Sequence, residues 1–193
     1  GGHSGAEIHK GRANADMVMA RVLRRLDQRT DIRLAAFAGG EKDNAIPWQA
    51  NATIVVTDAA AGDVKDLVAK EAEKIAAEYG VVDPGLKISV EQAAGAPEGA
   101  LTAEDTKKII CLMLSLPNGV IRMSNQIEGL VETSLNLGIL KLEDNEFSLT
   151  YALRSSVSSA YEALRDLPLV DIEVETPIEK CMTPMIDGKK LAI

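Results

Sequence analysis

Hydrophobic positions along the chain recur at two spacings, and the switches between them mark the elements. In "ANADMVMARVLRRLDQRT", Val18, Val22 and Leu26 fall on one stripe with Met19 and Leu23 beside it, while Arg21, Arg25 and Gln28 lie opposite. That spacing predicts an amphipathic helix with Asn14 near its start. "DIRLAAFAGG" reads as a strand ended by a glycine pair. "NAIPWQANATIVVTD" predicts a turn around Pro47, then a strand. In it Ala52, Ile54 and Val56 face one way, and Asn51, Thr53 and Thr57 the other. "DVKDLVAKEAEKIAAEYG" returns to helical spacing through Val64, Leu67, Val68, Ile75 and Tyr79. Asp63 is placed to cap that helix and Gly80 to stop it. "LKISVEQA" reads as a further strand and "AGAPEGA" as a loop.

The second half repeats these signals in other words. "LTAEDTKKIICLMLSLPNG" predicts a helix that opens on a capping box of Thr102 and Asp105 and stops before Pro117. "LVETSLNLGILKL" and "EFSLTYALR" flank Asp144-Asn145, the clearest hairpin signal in the chain. In the second arm Phe147, Leu149, Tyr151 and Leu153 alternate with Ser148, Thr150, Ala152 and Arg154. The alternation of the first arm changes phase near Gly138, which predicts a bulge. "SSVSSAYEALRD" predicts a helix that buries Val157, Ala160, Tyr161 and Leu164, and the tail reads as strand, loop, strand. The fold class is α+β: a mostly antiparallel sheet with helices packed on one face, a two-layer sandwich with one polar strand face exposed. No βαβ period and no internal repeat of sequence is visible. The expected organisation is one domain over 1–193, with a body at 1–166 and a strand pair in 167–193.

Composition narrows the partners. The net charge is −8, with 29 acidic against 21 basic residues, which disfavours nucleic acid and anionic membranes. Aromatics make up 3%, so Ala, Val, Leu and Ile must build the core. No apolar run approaches the ~20 residues of a membrane span, and no signal-peptide pattern is present. Cys111 lies in an apolar helical run and is expected buried; Cys181 lies in a loop-like stretch. Two unpatterned cysteines fit a reducing, cytoplasmic setting.

Chemistry concentrates at the start, in "GGHSGAEIHKGRANA", which holds both histidines, His3 and His9. Their spacing suits no common metal site, and no HExxH, CxxC, GxSxG or phosphate-loop pattern occurs. The chain therefore has no complete catalytic set of its own. Taken residue by residue, Asn44 reads as a turn asparagine, and Arg122 and Arg154 as solvated arginines.

Four blocks taken together change that reading. "GGHSGAEIHKGRANA", "GGEKDNAIPWQANATI", "PNGVIRMS...EGLVETSLNLG" and "YALRSS" resemble the lid domain of aminoacyl-histidine dipeptidases, di-zinc metallopeptidases of the carnosinase kind. The resemblance covers roughly residues 1–165. It implies an inserted α+β lid that carries a homodimer contact and closes over a small peptide of Xaa-His type. It implies that zinc is held by a catalytic domain this chain lacks, so the chain itself has no cofactor and is inactive alone. It implies that His3 steadies the oxyanion of the tetrahedral intermediate, that Asn44 binds polar groups of the substrate, and that Arg154 grips the substrate carboxylate. In such lids a strand pair precedes the "GGHSG" block; "VDIEVET" and "KKLAI" look like that pair at the other end. The expectation is a permuted or rejoined piece with its seam near "RDLPLVD" and Ile193 close to Gly1. The alternative is a non-catalytic α+β module for small-molecule binding or oligomerisation.

Overall fold

In the computed structural model, residues 1–95, 97–143, 146–166 and 188–192 are described. Five helices and an antiparallel sheet form the expected α+β arrangement. The elements are β1 (Gly2–His3), α1 (Ser4–Glu7), α2 (Ala15–Asp27), β2 (Arg33–Gly39), β3 (Ala45–Ile46), β4 (Ala50–Thr57) and α3 (Ala61–Tyr79). They continue with β5 (Glu91–Gln92), α4 (Ala103–Ser115), β6 (Gly119–Met123), β7 (Val131–Glu143), β8 (Glu146–Ser155), α5 (Ser158–Arg165) and β9 (Gly188–Ala192).

The main sheet runs β5-β9-β4-β2-β7-β6, with β8 on the other edge of β7. At its centre β2 pairs antiparallel with β7, Phe37 opposite Leu142 and Gly39 opposite Leu140. Around that seam one order occurs twice: α2-β2-β4-α3 and α4-β7-β8-α5. The repeat is invisible as sequence, because each half buries a different set of side chains. β7 takes up the edge that β2 would otherwise expose, which removes an open pairing edge from the middle of the molecule.

The core lies where α2, α3 and α4 meet one face of the sheet. Leu23, Leu26, Leu34, Phe37, Ile54, Ile75, Ile109 and Leu137 are all fully buried. α2 is capped by the Asn14 side chain, which accepts from the Asp16 and Met17 amides. Thr102 caps α4 by accepting from the Asp105 amide at 3.0 Å. The bulge expected at Gly138 is present as a register shift between Leu137 and Ile139.

Several local expectations are corrected. Cys111 is exposed, because the buried face of α4 carries Ile109, Ile110 and Met113 instead. α5 buries none of its residues; it lies chiefly against β8, which leaves its apolar stripe uncovered. α3 begins at Ala61, with Asp63 inside the first turn rather than at the cap. Only Glu91–Gln92 of "LKISVEQA" is strand, although Leu86, Ile88 and Val90 still pack against the core. β6 carries no helical or strand signal strong enough to be read in advance. β9 pairs with β4, with Ala192 opposite Thr53; "VDIEVET", Cys181 and Ile193 lie outside the described residues.

Candidate functional site

The first residues are stitched to the "DNAIP" turn. Gly2 and His3 pair with Ile46 and Ala45. The Ser4 amide and its hydroxyl both donate to the Asn44 carbonyl, each at 3.0 Å. His3 is the N-cap of α1: its Nδ1 accepts the Gly5 and Ala6 amides at 3.1 and 3.2 Å. A ring nitrogen that accepts two N–H groups carries no proton, so these bonds assign the proton of the neutral ring to Nε2. The imidazole is thereby held with a single N–H donor turned away from the backbone. Glu7 braces the same turn, accepting the His3 amide at 3.0 Å and the Lys10 ammonium at 2.9 Å. The Lys10 hydrogen bond, the His3 amide and the nearby Arg12 together hold its carboxyl down at about 2.

The turn is positioned from beneath by β7. The Asn136 side chain is buried and donates to the Asp43 and Ala45 carbonyls at 2.9 and 2.8 Å. Two residues on, a Cβ at Gly138 would collide with the Asp43 carbonyl. Asn118, from "PNGV", accepts the Leu137 amide at 2.8 Å. Asn118, Asn136 and Gly138 thus lie in one of the sequence blocks and hold the "DNAIP" turn of another. Their roles were not read from the sequence, where two asparagines and a glycine register only as turn or bulge residues.

Arg154 of β8 completes the group. A Cβ placed on Gly5 would lie 3.0 Å from both Arg154 Cζ and His3 Cε1, so those two atoms are at most about 6 Å apart. Arg154 also lines a cavity of about 520 Å³ with Asp43, Asn44, Tyr151, Tyr161 and Arg165. Its guanidinium makes no hydrogen bond or ion pair with any other described residue. Arg165 pairs with Asp166 at 2.7 Å. Arg154 therefore stands between the other two: it meets His3 at Gly5 and shares the cavity with Asn44. Tyr161, expected in a buried stripe, stands half-exposed at this cavity, and Arg165 joins it unforeseen. Arg122 stands outside this group, paired with Glu132 at 3.1 Å.

Behind the cavity wall sits a charge-bearing group with no partner. Asp16 is fully buried, and neither carboxylate oxygen has a hydrogen-bond partner among the described residues. Burial pushes its carboxyl up to about 7. The Tyr151 hydroxyl is also buried and unpartnered, pushed up to about 12 by burial and by the neighbouring Asp16.

A second cavity, about 540 Å³, lies between α2, Trp48 and residues 83–89. It holds none of the three converging side chains. Among the described residues no group of three or more His, Cys, Asp or Glu could hold a metal ion. The Nδ1 of His3 is already committed to backbone amides, so the residues present do not fit a zinc site. No helix among them is long and apolar enough to cross a membrane.

Residues 1–83 match the family described as the peptidase dimerisation domain. The chain is 38% identical over 159 residues to the cytosol non-specific dipeptidase of Escherichia coli (strain K12), covering 82% of this chain and 33% of that protein. Its fold superposes on the crystal structure of aminoacylhistidine dipeptidase from Vibrio alginolyticus with a TM-score of 0.79 and 33% identity, over 85% of this chain and 33% of that one. The chain thus spans about a third of the length of these dipeptidases. A shorter likeness is to uracil phosphoribosyltransferase of Exiguobacterium sibiricum (strain DSM 17290 / CCUG 55495 / CIP 109462 / JCM 13490 / 255-15), 62% identical over 34 residues, 18% of this chain and 16% of that enzyme.

Proposed function

We propose that this chain, whose residues 1–83 match the peptidase dimerisation domain, serves as the substrate-closing lid of a dipeptide hydrolase. The observation that carries the reading is that Arg154 meets His3 at Gly5 and lines one open cavity with Asn44. An unpaired, planar guanidinium is suited to a carboxylate, which it can hold with two charge-assisted hydrogen bonds. The Nε2–H of His3, locked in direction by its cap, is suited to an oxygen on which negative charge develops. Asn44, fixed through its own backbone, offers an amide to the substrate's polar groups. Together these groups bind and orient a short peptide at its carboxyl end and polarise its scissile carbonyl.

Water activation needs groups this chain does not supply. Zinc, expected for such dipeptidases, would be held by the remainder of a longer polypeptide. The lid alone is inactive. In the longer enzyme it also mediates a homodimer, and the enzyme works in the cytosol, the compartment named for the Escherichia coli relative. The phosphoribosyltransferase likeness covers 34 residues, 18% of this chain. At 16% of that enzyme it supports no transferase activity.

The test uses the purified chain. N-acetylglycine, a mimic of a peptide carboxyl terminus, is titrated while the Arg154 side-chain N–H signal is followed by NMR. Binding in the millimolar range that vanishes in Arg154→Gln is expected. Binding that survives the substitution overturns the carboxylate role. Hydrolysis of Gly-His by the zinc-supplemented chain, abolished by His3→Ala, overturns the inactivity.

A further inference from the structure

We propose that Asp16 is a positioning residue for the Arg154 cavity: its buried carboxyl engages the Tyr151 hydroxyl through one bridging water and ties β8 to the start of α2. The inference rests on the lid reading above and deepens it.

Three observations carry it. First, Asp16 is fully buried with both oxygens unpartnered, and the Tyr151 hydroxyl is buried and unpartnered as well. Two orphaned polar groups inside one core cost more than either alone unless they satisfy each other. Second, β2 runs close beside the carboxyl: a Cβ at Gly39 would collide with Asp16 Oδ1. Third, the next tie along the same helix end already exists. The Asn14 amide group donates to the Leu137 carbonyl at 2.8 Å, and Leu137 is the residue of β7 that pairs with Tyr151. Asn14 thus fastens α2 to β7, and Asp16 extends the fastening one strand outward, to β8.

β8 is the strand that presents Arg154, three residues beyond Tyr151. The start of α2 follows the segment that carries His3. A tie between the two therefore fixes the distance between guanidinium and imidazole without touching the substrate. The group works best with its proton on. The carboxylic acid then has both a donor and an acceptor for Tyr151. Gly39 of β2 passes beside it and Tyr151 of β8 feels its charge, and no cation forms an ion pair with it among the described residues. Ionisation would leave a buried charge with no counter-charge, and such a charge draws in water and loosens the packing around it.

The test follows N-acetylglycine binding to the whole chain from pH 6 to pH 8, a range in which the probe's own carboxyl does not titrate. Binding by the wild type is expected to weaken about tenfold across that range. Asp16→Asn should hold the pH 6 affinity throughout, because the amide keeps a donor and cannot ionise. Tyr151→Phe, a second variant that keeps the ring, should lower affinity at pH 6 and flatten the profile. A flat wild-type profile overturns the inference. A slope that persists in Asp16→Asn overturns it too. Either outcome leaves the lid reading standing if Arg154→Gln still abolishes binding; survival of binding in Arg154→Gln defeats the reading itself.

Discussion

The two halves of the molecule share one order of elements and use it for opposite ends. In the first, α2-β2-β4-α3, both strands and both helices contribute fully buried side chains, among them Leu23, Phe37, Ile54 and Ile75. In the second, α4 and β7 do the same through Ile109, Met113 and Leu137, but β8 and α5 contribute no fully buried side chain. That unburied outer layer is where Arg154, Tyr161 and Arg165 meet the cavity. A repeated scaffold thus leaves its second copy unfinished on the outside, and the surface it leaves open carries the chemistry. Rigid inner strands set the positions, and an outer strand with little packing of its own presents the groups.

The comparison breaks most readily at two aromatic residues, one from each half. Phe37, fully buried on β2, faces the core at the seam of the halves, while Phe147 of β8 packs against it from the side. Phe37→Ala is expected to cost about 3–5 kcal/mol, and Phe147→Ala about half of that or less, since a partly exposed site leaves no closed cavity. Urea unfolding monitored by circular dichroism measures both. Equal losses would mean that the outer strand is as structural as the inner one.

Asp16 joins the halves, and its effect depends on pH. Its carboxyl is raised from 3.8 to about 7 in the folded protein. Below pH 4 both folded and unfolded chains carry the proton, and the preference of the fold for the neutral form is fully present. Between pH 4 and pH 7 the unfolded chain releases the proton and the folded chain keeps it. Stability therefore falls as pH rises through that window, by about 1.4 kcal/mol per pH unit and about 4 kcal/mol in all. Asp16→Asn should abolish that slope and be the more stable protein at pH 8. Parallel unfolding curves for wild type and variant at pH 5 and pH 8 would refute the assignment.

Gly138 tests how the inner strand reaches the site. Alanine there must push the Asp43 carbonyl away, and with it the turn that holds Asn44 and Ser4. The expected cost is about 2 kcal/mol, in the range of overpacked sites. N-acetylglycine binding should weaken with it, although Gly138 lies outside the cavity. A destabilised variant that binds normally would show that the turn is held by the His3 segment alone.

Much of this was legible in the sequence, and the gaps have physical causes. Long periodic stretches such as Val18 to Leu26 and the arms around Asp144-Asn145 declared themselves, because one face of each had to be buried. The phase change at Gly138 was visible as a break in alternation; that it makes room for another backbone was not, since close approach leaves no pattern in the chain. Tyr161 was misplaced because helical spacing marks an apolar stripe whether or not anything covers it. Cys111 failed for a related reason: on a helix with apolar residues nearly all round, spacing alone does not choose the buried face. The convergence of His3, Asn44 and Arg154 spans residues more than 100 positions apart, and no local rule reaches across that distance. Asp16 reads in sequence as an ordinary acidic residue in a first helical turn, and only the neighbouring Gly39 and Tyr151 reveal it as buried.

The smallest expected change in stability belongs to the residue expected to matter most for binding. Arg154 is exposed and unpaired, and Arg165 shares its cavity. A solvated arginine with no counter-charge contributes little to folding, so Arg154→Gln should leave stability within about 0.5 kcal/mol. It should still remove carboxylate binding, because the amide cannot form the two charged hydrogen bonds. Unfolding midpoints and N-acetylglycine titrations on the same sample separate the two quantities. If Arg154→Gln destabilised the chain as much as Gly138→Ala, the guanidinium would be a structural strut, and the division between a load-carrying inner layer and a presenting outer layer would fail at the residue that defines it.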